Sequence, residues 1–290
     1  MAVRILSAPP GKGKTLNLCR IAQKLYKEEN NIIKRHKKNY IHYNCIYSNF
    51  PIILYYQKKP FKYMLPDGSV YDSVPIAKMI NADNGLEYYQ PVRKGQKIDY
   101  YCVYSIKLNF IDMRIAWNFG QNSSFFIDEI QYIYDSQEYK DFPDCIAHFF
   151  QVHRHLGYNM IYTNSQSLSR VIKRVLCVSE EFWNVLEFKP KMFLLPFLSK
   201  VKFKITYDIE SSKSSENSKE EKYYVDYNTV IFFNKKVFNG YITRYLGELN
   251  NNLGFYKMET YSDLLMSKKD ILRSFNITKE EKEKLVNMEF

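Results

Sequence analysis

The chain has 290 residues, of which 46% are hydrophobic and 17% aromatic; that is enough apolar material for a buried core and excludes an intrinsically disordered protein. A net charge of +11 makes attraction to phosphate polymers or an anionic membrane available without choosing between them. Five scattered cysteines with no C-x-x-C spacing exclude a disulfide framework and a zinc ribbon and point to a reducing compartment; no apolar run has the length of a signal peptide or a bilayer-spanning helix.

In chain order, residues 4–7 read as a short apolar strand. Residues 14–27 follow as a helix with Leu16, Cys19, Ile21, Ala22 and Leu25 on one apolar face. Between them, Ala8 to Thr15 has the G-x-x-x-x-G-K-[ST] spacing of a phosphate loop, with Ala in the first position. Pro10, Gly11, Lys12, Gly13, Lys14, Thr15 and Leu16 are therefore the candidate nucleotide-binding residues. Gly11 and Gly13 let the backbone curl so that successive N–H groups face phosphate oxygens, and the helix opening near Lys14 adds its positive end. Lys14 is placed to reach the β- and γ-phosphates of ATP, and the Thr15 hydroxyl to contact Mg²⁺.

A basic, Asn-rich connection leads to an expected strand over 40–47, closed by Pro51. Residues 52–104 are punctuated by Pro60, Pro66, Gly68, Pro75, Gly85, Pro91 and Gly95 and read as an irregular insertion or a small β-rich flap. The Tyr-rich composition fits either codon bias in an AT-rich genome or base stacking. A helix is then expected over 106–119, a buried strand over 123–127, an amphipathic helix over 141–155 stopped by Gly157, a strand over 159–164, a helix over 167–174 and a strand over 182–188. Strands separated by helices imply a parallel sheet. Past 190 the pattern turns to strands over 200–209 and 223–233 around a Ser-rich loop, then two short helices with Ser262 and Thr278 as N-caps. The expected fold is α/β. It comprises a P-loop NTPase core over 1–190, with a mainly parallel sheet flanked by helices, and a C-terminal β-rich and helical extension over 191–290.

The strand before Asp128 and Glu129 carries two acids to the carboxyl edge of the sheet, where ligands of such folds sit. Asp128 is the candidate support for Mg²⁺, and Glu129 the candidate group that orients and polarises the attacking water. At the end of the next strand, Asn164 and Gln166 are both candidates for sensing the γ-phosphate or fixing that water. Arg154 closes the preceding helix and is a candidate arginine finger across a subunit boundary; Arg170, Lys173 and Arg174 compete for the role.

This order of motifs resembles the Zot-type (zonula occludens toxin-like) assembly ATPases of filamentous bacteriophages, within the FtsK/HerA group of P-loop motors. The resemblance is carried by Gly13-Lys14-Thr15, Ser48-Asn49, Asp128-Glu129-Ile130-Gln131, His153-Arg154-His155-Leu156-Gly157 and Thr163-Asn164, over residues 3–175. It implies a Mg²⁺-dependent, ATP-hydrolysing homo-oligomeric ring that extrudes or packages single-stranded phage DNA. The implied location is the host bacterial cytoplasm or the periphery of the inner membrane. Two departures stand out. Asn164 stands where the family usually has Gln, and the transmembrane helix common after the ATPase domain has no counterpart, so a separate membrane-embedded assembly protein becomes the implied partner. Two other readings share the phosphate loop: a cellular or plasmid DNA translocase of the same group, and a nucleotide-dependent binding module that does not hydrolyse.

Overall fold

The computed structural model describes residues 3–36, 42–43, 46–64, 70–80, 87–92, 94–108, 122–132, 144–153, 155, 157–190, 192, 198–207, 225–234 and 237. Its centre is an eight-stranded sheet. The members are β1 (Val3–Ser7), β3 (Ile46–Ser48), β10 (Ile106–Lys107), β11 (Ser124–Ile127), β12 (Met160–Ser165), β13 (Ser179–Lys189), β14 (Leu198–Tyr207) and β15 (Val225–Asn234). Across the sheet they lie in the order β10-β3-β11-β12-β1-β13-β14-β15. From β10 to β13 every pairing is parallel, while β13 to β15 are antiparallel. The fold is α/β: β12 separates the phosphate-loop strand β1 from the acidic strand β11, and all three end at one edge.

Helix α1 (Lys14–His36) and helix α2 (Asp144–Val152) accompany this sheet. Phe125 meets Phe149 of α2 and Tyr158 edge to face, while its neighbour Phe126 points the other way and stacks on Tyr162 at 5.1 Å. Both faces of β11 are thus covered. That is why its sequence is a continuous apolar run rather than an alternating one, and all four of its residues are buried.

Several expected boundaries shift. Helix α1 runs nine residues past 27, through a stretch with no Gly or Pro to stop it, and Lys24 pairs with Glu28 one turn on at 3.6 Å. The strand expected over 40–47 is two: β2 (His42–Tyr43) pairs with β5 (Lys62–Met64), and β3 enters the main sheet. The insertion is more regular than its punctuation suggested. Strands β4 (Ile53–Gln57), β7 (Val74–Ile80), β8 (Glu87–Pro91) and β9 (Tyr100–Tyr104) form an antiparallel sheet in the order β4-β9-β7-β8, and β6 (Val70–Asp72) completes a three-stranded sheet with β2 and β5. The helix expected over 106–119 begins as strand β10 instead, because Ile106 and Leu108 bury at every second position beside β3; 109–121 lie outside the described residues. The helix expected over 167–174 breaks in two. A turn at Leu168–Arg170, capped by the Ser167 side chain on the Ser169 N–H, is followed by extended Val171 and Ile172 and then α3 (Lys173–Leu176). Strands β14 and β15 continue the main sheet beyond residue 190, and the C-terminal helices expected around Ser262 and Thr278 lie outside the described residues.

Candidate active site

The phosphate loop leaves β1 at Ser7 and enters α1 at Lys14. Gly13 has φ +75°, which disfavours any residue with a side chain, and a Cβ there would also crowd the Phe188 ring at 3.1 Å. Asn17 donates both its backbone N–H (3.0 Å) and its side-chain amide (2.8 Å) to the Gly13 carbonyl, fixing where the helix begins. The Ala8 N–H donates to the Ser165 carbonyl at 3.3 Å, continuing the β1–β12 ladder into the loop. Pro10, Gly11 and Lys12 form its exposed rim, whereas Leu16 turns into the core.

Lys14 is buried. Its Nζ donates to the carbonyls of Ala8 (2.8 Å) and Pro9 (3.3 Å) and lies 3.8 Å from Glu129 Oε1. Burial pushes its pKa down, and the nearby Glu129 and Asp128 carboxylates partly restore it. The Thr15 hydroxyl donates to Asp128 Oδ1 at 2.9 Å, so loop and acidic strand touch through a direct side-chain bond.

The Asp128–Glu129 turn is held from two sides. On one side, the Asn49 amide donates to the Asp128 carbonyl (3.0 Å) and accepts the Asp128 N–H (2.7 Å), extending the β3–β11 ladder with a side chain where the backbone pairing stops. On the other side, Asn164 accepts the Glu129 N–H at 2.8 Å and donates to Asp128 Oδ1. Between these two amides Glu129 adopts φ +51°, a left-handed conformation unusual for a residue with a side chain. Its Oε2 accepts a hydrogen bond from Gln131. The Asp128 carboxyl is pushed up to about 6, chiefly by burial and also by Glu129, against the hydrogen bonds from Asn164 and Thr15 and the charge of Lys14.

Lys14, Thr15, Asp128, Glu129 and Asn164 therefore meet at the carboxyl ends of β1, β11 and β12. Of the two sensor candidates, Asn164 makes the contacts to the acidic turn; Gln166 lies two residues further on, half-buried. Arg154 lies outside the described residues, and its competitors Arg170, Lys173 and Arg174 are exposed. Thr15 and Asp128 provide a hydroxyl and a carboxylate oxygen, a hard donor pair suited to an ion that keeps most of its waters, as Mg²⁺ does. Among the described residues no cluster of three or more His, Cys, Asp or Glu side chains could hold a metal ion.

Sequence reasoning assigned no role to Asn49 or Gln131. Asn49 follows an apolar strand that proves to lie beside β11, and a polar residue at a carboxyl strand end was the available signal. Asn49→Ala is expected to lower kcat for nucleotide hydrolysis at this site by up to about 30-fold, since two lost hydrogen bonds of about 1 kcal/mol each release the acidic turn. KM for ATP should stay within about threefold because the phosphate loop is untouched. Steady-state kinetics on the purified variant measure both.

Residues 103–187 match the model of the Zonular occludens toxin (Zot) family. That segment is Zot-like. The Zot-like segment carries Asp128, Glu129 and Asn164, whereas the phosphate loop precedes it. No curated protein matches the chain in sequence. Among solved structures, the chain is similar to the N-terminal domain of zonular occludens toxin from Neisseria meningitidis, at 14% identity and a TM-score of 0.43, covering 83% of this chain and 98% of that one. It is also similar to the genome packaging NTPase B204 of Sulfolobus turreted icosahedral virus 2. The AMP complex matches at 9% identity and a TM-score of 0.37, and the ATP-gammaS complex at 13% and 0.33, each covering 71% of this chain and 92% of that one. Among the described residues no helix is long and apolar enough to cross a membrane.

Proposed function

We propose that this chain is a Mg²⁺-dependent ATPase whose hydrolysis drives the assembly, extrusion or packaging of single-stranded viral DNA. The observation that carries the reading is the junction of Lys14 and Thr15 with Asp128, Glu129 and Asn164 through side-chain contacts at one sheet edge. The phosphate-loop N–H groups and Lys14 bind the β- and γ-phosphates and balance their charge. Thr15 and Asp128 would hold Mg²⁺, which would offset negative charge developing on the phosphate. Glu129 orients a water against the γ-phosphorus and takes its proton as the new P–O bond forms; ADP leaves with the electrons of the broken bond. Asn164 keeps Glu129 and Asp128 in register during that step.

The Zot-like segment and the net charge of +11 support a viral DNA-handling motor. As such a motor the protein works as a ring of identical subunits, with Arg154 the sequence candidate for a charge supplied by the neighbouring copy. It acts in the host bacterial cytoplasm, at the inner membrane, beside a separate membrane-embedded assembly protein.

The test is ATP hydrolysis by the purified chain, with and without single-stranded and duplex DNA, beside Lys14→Ala. Hydrolysis stimulated by single strands and lost in the variant supports the proposal. Stimulation by duplex alone favours a cellular or plasmid translocase. Nucleotide binding with no turnover under any condition favours a binding module and sinks the ATPase assignment.

A further inference from the structure

We propose that the outward face of β13, β14 and β15 is a docking platform for single-stranded nucleic acid. The proposal rests on the DNA-motor reading above and names where on the chain that partner is held. Strand β14 alternates: Val201, Phe203 and Ile205 are buried in the core, and Lys200, Lys202 and Lys204 stand on the other face, part exposed. The antiparallel register sets Lys200 between Lys189 and Phe232, Lys202 between Glu187 and Val230, and Lys204 between Asn184 and Asn228. Four lysines share this face with Glu187, which pairs with Lys189 at 2.8 Å and with Lys200 at 3.0 Å, and the register puts Asp226, opposite Thr206, at a position of the same face. The surplus is positive, as a phosphate backbone requires.

Spacing and side-chain type narrow the partner further. Alternate residues of a strand are about 6.8 Å apart, so the β14 lysines form a regular row of cations along which the phosphates of a single strand can lie. Phe232, directly opposite Lys200, is 53% exposed, and Val230 is 42% exposed. An aromatic ring left in water beside cations offers a stacking surface to a base, which duplex DNA hides and a single strand presents. The face also has a route to the nucleotide. Phe188 follows Glu187 on β13 but lies on the opposite face, and it is the ring packed against Gly13 of the phosphate loop. One strand therefore contacts both the platform and the loop.

The test is binding of a fluorescein-labelled oligo-dT 20-mer, followed by anisotropy across a salt series, for the full chain and two variants: the triple variant Lys200→Gln/Lys202→Gln/Lys204→Gln, and Phe232→Ala. None of these residues belongs to the nucleotide site, so basal ATP hydrolysis and the melting temperature should stay unchanged. The triple variant is expected to bind at least tenfold more weakly, with a log K against log salt slope shallower by about 2, the value for three lost phosphate contacts on a single strand. Phe232→Ala should bind roughly fivefold or more weakly with the slope unchanged. Wild-type binding retained in full by both variants overturns the platform and leaves the DNA-motor reading standing. No oligonucleotide binding by the wild-type chain removes that reading and the platform with it. If the variants instead lose adhesion to phosphatidylglycerol vesicles while keeping DNA affinity, the face is a membrane surface and the proposal fails.

Discussion

Glu129→Gln is expected to reduce kcat for ATP hydrolysis by roughly 10²- to 10⁴-fold, the usual contribution of a positioned general base, while ATP binding stays within about threefold. The substitution is isosteric. A Gln side-chain oxygen still accepts from Gln131, and its backbone N–H still donates to Asn164, so the left-handed turn is retained. What disappears is the proton acceptor and the negative charge 3.8 Å from Lys14 Nζ. Losing that charge leaves Lys14 with less reason to stay away from phosphate, so ATP affinity should hold or rise slightly. Single-turnover hydrolysis and equilibrium binding of a fluorescent ATP analogue separate the two effects. Turnover within threefold of wild type would remove Glu129 from the role of base.

The parts of the site that were legible in the sequence are those whose chemistry is local. Gly13-Lys14-Thr15 requires particular residue types in a fixed order, and Phe125 to Ile127 announce a strand buried on both faces, so the acids after it had to emerge at an edge. Asn49 was not legible as a clamp because its bonds to Asp128 span 79 residues and depend on β3 and β11 becoming neighbours. Nor was the positive φ of Glu129, which nothing in a Glu residue favours; two amides from flanking strands impose it. In the fold, the strand β1, the acidic strand β11 and the alternation that makes the sheet parallel were legible from periodicity. The insertion was harder. Pro75 in β7 and Pro91 in β8 argue locally against strands, yet Pro75 sits opposite Tyr101 of β9, just beyond the last β8 pair, and its carbonyl accepts the Val92 N–H at 3.1 Å. Ile106-Lys107-Leu108 could be read with a period of 2 or 3.6, and the neighbouring edge of β3 decided it.

Asp128→Asn is expected to abolish hydrolysis and at the same time stabilise the protein without nucleotide or metal at neutral pH. The Asp128 carboxyl titrates at about 6 in the folded chain, against 3.8 for an ordinary carboxyl, because burial and Glu129 disfavour its charge. A folded pKa above the unfolded one means that the fold holds this proton more tightly than the unfolded chain does. The resulting stability is complete below pH 3.8, falls as pH rises, and is gone above about 6, where the ionised group costs up to about 3 kcal/mol. Asn carries no charge to be penalised, and its oxygen still accepts from the Thr15 hydroxyl and the Asn164 amide. At pH 8 the variant should therefore melt higher by roughly 3–9 °C, with the difference shrinking toward zero near pH 4. Thermal denaturation across that range measures it, and a variant that melts lower at pH 8, or a gap that does not change with pH, would refute the electrostatic account. The same charge that costs stability without a metal is the one that would draw a cation to the Thr15–Asp128 oxygens, so the stability lost at Asp128 and the proposed Mg²⁺ binding have a single source.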